Sequence, residues 1–272
     1  MVTVRSAIQV GVRLINKNPK LLLIPLIWHL ISSLLLYAGL TPGAAWPLDS
    51  RFFLRFALPA SWPGIDQVLP VPALSPDFAA LLTGRLVGEG VLFFSKVVAF
   101  VILDSLARSW FLVSLRNTFV GKRNSMSTNL GESLTYLNSF IILRLITLAA
   151  MLLLTAVARN IPGLPAAFWD IPITLGTLAV LPADMVLVFS KYTMPDALLK
   201  GLSLLKALSN PLLRFLLTAA MINGVLSVPI NWATGFFPAF VLGGWVFDYF
   251  GVILSAGLMY IFTTALLATQ EG

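Results

Sequence analysis

The sequence predicts an all-α fold, a polytopic membrane bundle of six transmembrane helices arranged as three repeated hairpins with short amphipathic cytoplasmic helices. Hydrophobic residues make up 58% of the chain and charged residues 11%, with a mean hydropathy of +0.92. Soluble domains carry about 25% charged residues, so this composition favours a membrane protein. Apolar runs long enough to cross a bilayer recur along the chain. Similar stretches also begin near residues 6, 129 and 196.

The three similar stretches predict the number of hairpins. Two of the copies align at Ala7–Gly11 with Ala197–Gly201 and, after a short slip, at Asn18-Pro19 with Asn210-Pro211. A weaker copy begins at Asn129 and runs into an apolar stretch. Each copy predicts a short helix, a membrane helix and a returning membrane helix, so residues 1–272 are expected to form a single membrane domain.

The first predicted elements are a basic amphipathic helix and a membrane span. Arg5, Arg13 and Lys17 share one face of a helix in residues 1–20, opposite an apolar face. The apolar run 21–40 then crosses a bilayer at about 1.5 Å per residue. A signal peptide is the competing interpretation, because small residues at 43–45 offer a cleavage site. The run is too long for a signal-peptide core, which favours an uncleaved anchor.

Residues 41–90 are predicted to form a proline-rich external loop and an interfacial segment. Prolines are dense between residues 42 and 76, which excludes one long helix there. Trp46, Trp62 and the aromatic and basic run 51–56 are typical of a membrane surface. Ser75-Pro76-Asp77 predicts the start of a helix that leads towards the second span.

Charge bias predicts the orientation of the remaining spans. These spans are expected at about 91–111, 140–158, 171–190 and 211–232, and from Ala239 or Trp245 to Leu266. With the N-terminus inside, the inner segments hold ten lysines and arginines and the outer loops hold four. This bias favours both termini on the inner side of the membrane. The net charge of +7 follows this distribution, so no nucleic-acid partner is expected.

The sequence lacks the residues and motifs of several kinds of catalytic and metal-binding site. The chain has no cysteine, which excludes disulfides, thiolate catalysis and cysteine metal sites. Its sequence contains no phosphate-binding Walker loop, no HExxH zinc motif and no nucleophile elbow. We therefore expect a non-enzymatic protein without a cofactor or a bound metal.

Charged residues within the predicted spans form the candidate polar site. Asp104 and Asp184 each occupy the fourteenth position of a span that runs from outside to inside, which predicts similar depths. Arg108 lies one helical turn after Asp104 and suits an ion pair with it. Arg144 and Arg214 lie just inside their spans and could reach Asp184. Either these groups form a pathway for a proton, an ion or an anionic headgroup, or they are structural ion pairs.

Two further residues extend this hypothesis. His29, the one histidine, is expected near the middle of the first span, where it either relays protons or hydrogen-bonds to a neighbouring helix. Pro182 precedes Asp184 by two residues. It either is a tolerated membrane proline or breaks the helix beside a site.

Two short motifs carry a family resemblance. Asn18-Pro19-Lys20-Leu21 and Met194-Pro195-Asp196-Ala197-Leu198 resemble segments of a loose group of uncharacterised bacterial six-helix membrane proteins. That group includes the membrane domain fused to some glycerophosphodiester phosphodiesterases. The resemblance implies a fold more than an activity, and a location in the bacterial cytoplasmic membrane. No soluble segment is long enough for the phosphodiesterase barrel of about 250 residues, so no catalytic residue is carried over.

The leading functional expectation is a transport-related or transport-accessory membrane module for a small molecule or lipid, centred on Asp104 and Asp184. The alternative is a scaffold whose basic short helices bind anionic lipid headgroups, or a cytoplasmic or membrane protein partner. Its contact residues are Arg5, Arg13, Lys17, Lys200 and Lys206. A lipid-modifying membrane enzyme is the third possibility.

Overall fold

The computed structural model shows an all-α protein over the residues that it describes. These are residues 3–28, 31, 87–122, 125–159, 171–190, 192–208, 210–215, 217–219, 221, 222, 225, 249, 250, 252–254 and 256–264. Every regular element within these ranges is a helix, and none of them contains a strand. The predicted all-α class is confirmed.

Five helices have defined ends. They are α1 (Val4–Lys17), α2 (Val87–Phe119), α3 (Met126–Arg159), α4 (Ile171–Ser190) and α5 (Met194–Ala207). A 3-10 turn at Pro19–Leu22 follows α1 and leads into helical residues 23–28. The described residues between 210 and 225 and between 249 and 264 are also helical, and we call these stretches the 210–225 segment and the 249–264 segment.

Local sequence explains where α1 begins and ends. Thr3 Oγ1 accepts a hydrogen bond from the Ser6 backbone N–H, and the Ser6 hydroxyl oxygen accepts one from the Thr3 backbone N–H, both at 3.1 Å. This reciprocal capping satisfies two N–H groups at the start of the helix. Pro19 cannot donate a backbone hydrogen bond, so the α-helix stops before it. The predicted amphipathic helix is confirmed in this range.

The hairpin of α2 and α3 differs from the prediction at both helices. α2, Val87–Phe119, continues beyond the predicted end of the second span near residue 111. α3 joins the short helix and the span of its repeat into one helix of 34 residues. Unlike the other two copies, this one has no Asn-Pro step, so nothing interrupts its backbone hydrogen bonds.

Three of the helices turn residues inwards at the same spacing. Within each predicted copy of the repeat, these residues are separated by four and then three positions, which places them on one face of a helix. These positions are Ala7, Gly11 and Leu14 in α1, Asn129, Ser133 and the partly buried Tyr136 in α3, and Ala197, Gly201 and Leu204 in α5.

Glycines allow these faces to pack closely on other helices. A Cβ on Gly201 would lie 2.7 Å from the backbone nitrogen of Ala183 in α4, and one on Gly257 would lie 2.8 Å from the carbonyl oxygen of Ala7. Gly11 packs in turn on the backbone of Ile253. Since such short approaches exclude a side chain, glycine is required at these crossings. The contacts at Gly11 and Gly257 pack α1 directly against the 249–264 segment.

Membrane spans are not established by these helices. Among the residues described, no helix combines the length and the apolar character needed to cross a bilayer. The six spans therefore stay a prediction. Most of the predicted external loop, from residue 41 to residue 86, lies outside the described residues, as do residues 29, 30 and 32–40 of the predicted first span.

Candidate functional site: a buried charge cluster

Four charged side chains from three helices meet in the interior of the bundle. Asp104 and Arg108 lie one turn apart on α2, Arg144 lies on α3, and Asp184 lies on α4. All four are buried, and Asp184 is 0% exposed. We call Asp104, Arg108, Arg144 and Asp184 the charge cluster. Each charge sits on a helix whose neighbouring residues belong to the apolar core, including Leu143 and Ala183.

One oxygen of Asp184 is the centre of the charge cluster. Arg108 Nε donates a hydrogen bond of 2.6 Å to Asp184 Oδ2, and Arg144 Nη2 donates to the same oxygen. Arg144 Nε lies 3.7 Å from Asp104 Oδ2, so the Arg144 guanidinium bridges both carboxylates. The two negative carboxylates balance the two positive guanidiniums. Buried ions are tolerated in a protein interior when they are paired in this way.

The other oxygen of Asp184 is less well satisfied. Asp184 Oδ1 is buried and accepts no hydrogen bond from any residue that the structure describes. A buried polar atom without a partner costs about 1–3 kcal/mol. Asp184 therefore carries the shortest ion pairs of the charge cluster and also a buried oxygen without a hydrogen-bond partner in the described structure, and the buried Arg144 Nε atom likewise has none there.

The structure shows where the three arginines of the predicted polar site lie relative to Asp184. Arg108, expected to pair with Asp104 on its own helix, donates across the interface to Asp184. Arg144 reaches Asp184, as the sequence predicts. Arg214 does not: it is exposed and forms no ion pair with a described residue. The reason is helical geometry, since Leu212 and Phe215 occupy the buried face of the 210–225 segment.

The polar site predicted from the sequence also included His29 and the turn at Pro182. His29 lies outside the described residues. Pro182 is buried, and α4 continues through it to Ser190, so the helix is not broken beside Asp184. The backbone at Pro182 and Ala183 is instead covered by Gly201 of α5. α5 thus packs directly over the turn of α4 that carries Asp184.

A second polar network, which the sequence interpretation missed, ties the ends of α2, α3 and α4 together. Arg116 Nη1 donates to the Val188 carbonyl oxygen at 2.8 Å and to the Tyr136 hydroxyl at 3.2 Å, and Arg116 Nη2 donates to Glu132. Asn117 Nδ2 donates to Asn129 Oδ1 at 2.9 Å and to Glu132 Oε2 at 2.8 Å. We call Arg116, Asn117, Asn129 and Glu132 the end network.

The end network perturbs the acidity of Glu132. Partial burial raises the pKa of the Glu132 carboxyl, but the hydrogen bonds from Asn117 and Arg116 lower it more, so that the pKa lies below its ordinary value of 4.5. The signal available in the sequence was local. Arg116 and Asn117 end an apolar run, and Asn129 and Glu132 share a helix face at the start of the next repeat.

The predicted lipid or partner contacts lie on the outer surface. Arg5, Arg13 and Lys17 are exposed on α1, and we call them the cationic face of α1. On α5, Lys206 is exposed and Lys200 is partly exposed. None of these five side chains forms an ion pair with any part of the chain that the structure describes.

No metal site is apparent among the described residues. Over the described ranges, no three acidic or histidine side chains are grouped in a way that could hold a metal ion.

Comparisons with protein-family models, with curated proteins and with solved structures find no match to this chain. The resemblance to bacterial six-helix membrane proteins therefore stays a prediction, and the site is interpreted from its own geometry.

Proposed function

We propose that the chain is an integral membrane protein of the bacterial cytoplasmic membrane, with six spans and both termini inside. The supporting observation is an inverted distribution of side chains among the described residues, in which five charged side chains are buried while many large apolar side chains are exposed. The exposed set includes Ile102, Leu145, Leu153, Val157, Leu217, Met221 and Val225. Water favours the opposite distribution, whereas acyl chains cover apolar side chains without cost and force charges inwards.

Within the membrane, we propose a non-enzymatic scaffold that docks an anionic partner. The charge cluster supports this, because both arginines and the shared Asp184 oxygen are committed to one another across three helices. Such ion pairs fix how helices pack. The cationic face of α1 lies on the surface and is therefore available to bind a partner. Its charges suit an acidic protein segment or anionic lipid headgroups.

Removing the charges of the cationic face tests the docking function. The variant Arg5→Gln/Arg13→Gln/Lys17→Gln should lose bound anionic lipid or acidic protein when it is purified from membranes and examined by native mass spectrometry. Each charge contributes on the order of 1 kcal/mol of attraction to an anionic surface, reduced by salt. Lys122→Gln, an exposed lysine in the connection between α2 and α3, is the matched control. Unchanged bound species in the triple variant would contradict the docking function.

A transport-related module for a small molecule or lipid is the second candidate. The observation that favours it is Asp184 Oδ1, buried without a hydrogen-bond partner in the described structure. A proton, a water or a polar group of a solute would satisfy this oxygen. If it is a transport site, Asp184→Asn should leave the melting temperature nearly unchanged and abolish solute-dependent or pH-dependent shifts in it. A large loss of stability without such shifts would instead favour the scaffold.

A further inference from the structure

The helices α1 and α5 share an inner face but differ on the outside. Both bury a small residue, a glycine and a leucine at equivalent positions. On the outer face of α1, no large hydrophobic residue is exposed. On the outer face of α5, Leu199 is 68% exposed and Leu202 is 45% exposed. The repeat therefore provides two surfaces of different character.

The exposed leucines of α5 lie beside lysines. Leu199, Leu202 and Lys206 follow the spacing of one helix face, and Lys200 lies at its edge. A short helix that exposes leucines flanked by lysines is typical of the membrane interface. There the leucines enter the acyl region while the lysine side chains extend to the headgroups.

The apolar surface of α5 is followed by another beyond Asn210-Pro211. In the 210–225 segment, large apolar side chains recur every four residues on the outside, at Leu213, Leu217, Met221 and Val225. Two successive helices thus expose apolar stripes, whereas soluble monomers rarely expose extended apolar patches. A lipid bilayer is the partner that covers both stripes and also attracts the lysines.

We propose that α5 lies in the inner membrane interface, with Leu199 and Leu202 among the acyl chains and with Lys200 and Lys206 against the phosphates of anionic phospholipids. The outer face of α1, by contrast, faces water. This inference rests on the proposed membrane function. It assigns lipid contact to one of the two short helices and leaves the cationic face of α1 to a partner that approaches from solution.

Single labels can test this placement, because the full-length chain has no cysteine. The variants Leu199→Cys in α5, Gln9→Cys in α1 and Leu217→Cys in the 210–225 segment each carry one fluorophore in nanodiscs of phosphatidylcholine and phosphatidylglycerol. We expect the label at residue 199 to be quenched by a shallow nitroxide lipid and several-fold less by aqueous iodide than the label at residue 9. The label at residue 217 should be quenched by a deep nitroxide lipid.

The three labels separate the failure of this inference from the failure of the proposed function. If iodide quenches residue 199 as strongly as residue 9 while residue 217 stays shielded, the placement of α5 is wrong and the membrane function stands. If iodide also quenches residue 217, the membrane function itself is wrong. If residue 9 is as shielded as residue 199, the distinction between the two short helices is wrong.

A charge variant tests the headgroup contact. Lys200→Gln/Lys206→Gln should lower the ratio of phosphatidylglycerol to phosphatidylcholine that stays bound to the purified protein. The expected decrease is about fivefold for each lysine, equivalent to ~1 kcal/mol. Ser203→Ala, on the same face, is the matched control. An unchanged ratio in the double variant overturns the proposed headgroup contact.

Discussion

The variant Asp184→Asn gives the sharpest test of the charge cluster. Asp184 is 0% exposed and accepts hydrogen bonds from both Arg108 and Arg144. Without its charge, two buried guanidiniums face the single carboxylate of Asp104. Removing one partner from a buried ion pair costs about 3–5 kcal/mol. At about 2–4 °C per kcal/mol for a chain of this size, the melting temperature in detergent should fall by roughly 6–20 °C.

A second substitution should recover part of this loss. In Asp184→Asn/Arg144→Gln, the remaining Arg108 and Asp104 lie one turn apart on α2 and restore charge balance. The coupling between the two sites should be about 0.5–3 kcal/mol and favourable. Asp196→Asn, which removes an exposed carboxylate on α5, is the control and should cost under about 1 kcal/mol. If Asp184→Asn costs no more than this control, or if the two substitutions are additive, the structural role of the charge cluster is refuted.

Three further predictions concern other parts of the chain. Gly201→Ala should destabilise the protein by about 1–3 kcal/mol, because its Cβ would lie 2.7 Å from the Ala183 backbone. Gly131→Ala on α3, with no atom within 4 Å of the new Cβ, should be neutral or stabilising by about 0.5–1 kcal/mol in the same thermal melts. Equal losses would contradict the close crossing of α4 and α5. Since the pKa of Glu132 is lower in the folded than in the unfolded protein, its stabilising contribution is complete above pH 4.5 and is lost as the pH falls through the folded pKa. Glu132→Gln should therefore weaken the acid dependence of the melting temperature, and an unaltered pH profile would contradict this. Reporter tags at Met1 and Gly272 should both indicate cytoplasm while a tag at Gly64 indicates the outside. A cytoplasmic signal at Gly64 would refute the proposed topology.

Local sequence was sufficient to predict the helical class and the amphipathic α1. The step at Asn18-Pro19 and the spacing of apolar and basic residues act over a few positions, so they are readable without the fold. The absence of a proline step explains one place where the structure differs from the prediction. The copy that begins near Asn129 lacks proline, and its short helix and predicted span form one continuous α3.

The sequence also identified most of the charge cluster, but not its pairing. Asp104 and Arg108 are neighbours on α2, and spacing alone favours a pair between them. Spacing within α2 does not predict that Arg108 donates to Asp184, because the interface with α4 brings that carboxylate to its Nε atom. The end network was missed for the same reason, since Arg116 finds Glu132 and the Val188 carbonyl on other helices.

Helical periodicity and apolar composition are local or additive properties, so the sequence alone predicts them. Which charges meet and which face outwards depends on how the helices pack. The rotation of each helix about its axis turned Arg144 towards Asp184 and Arg214 away from it. It also set Gly11 against Ile253, far along the chain. That rotation is fixed by close packing between helices, which no spacing within a single helix encodes.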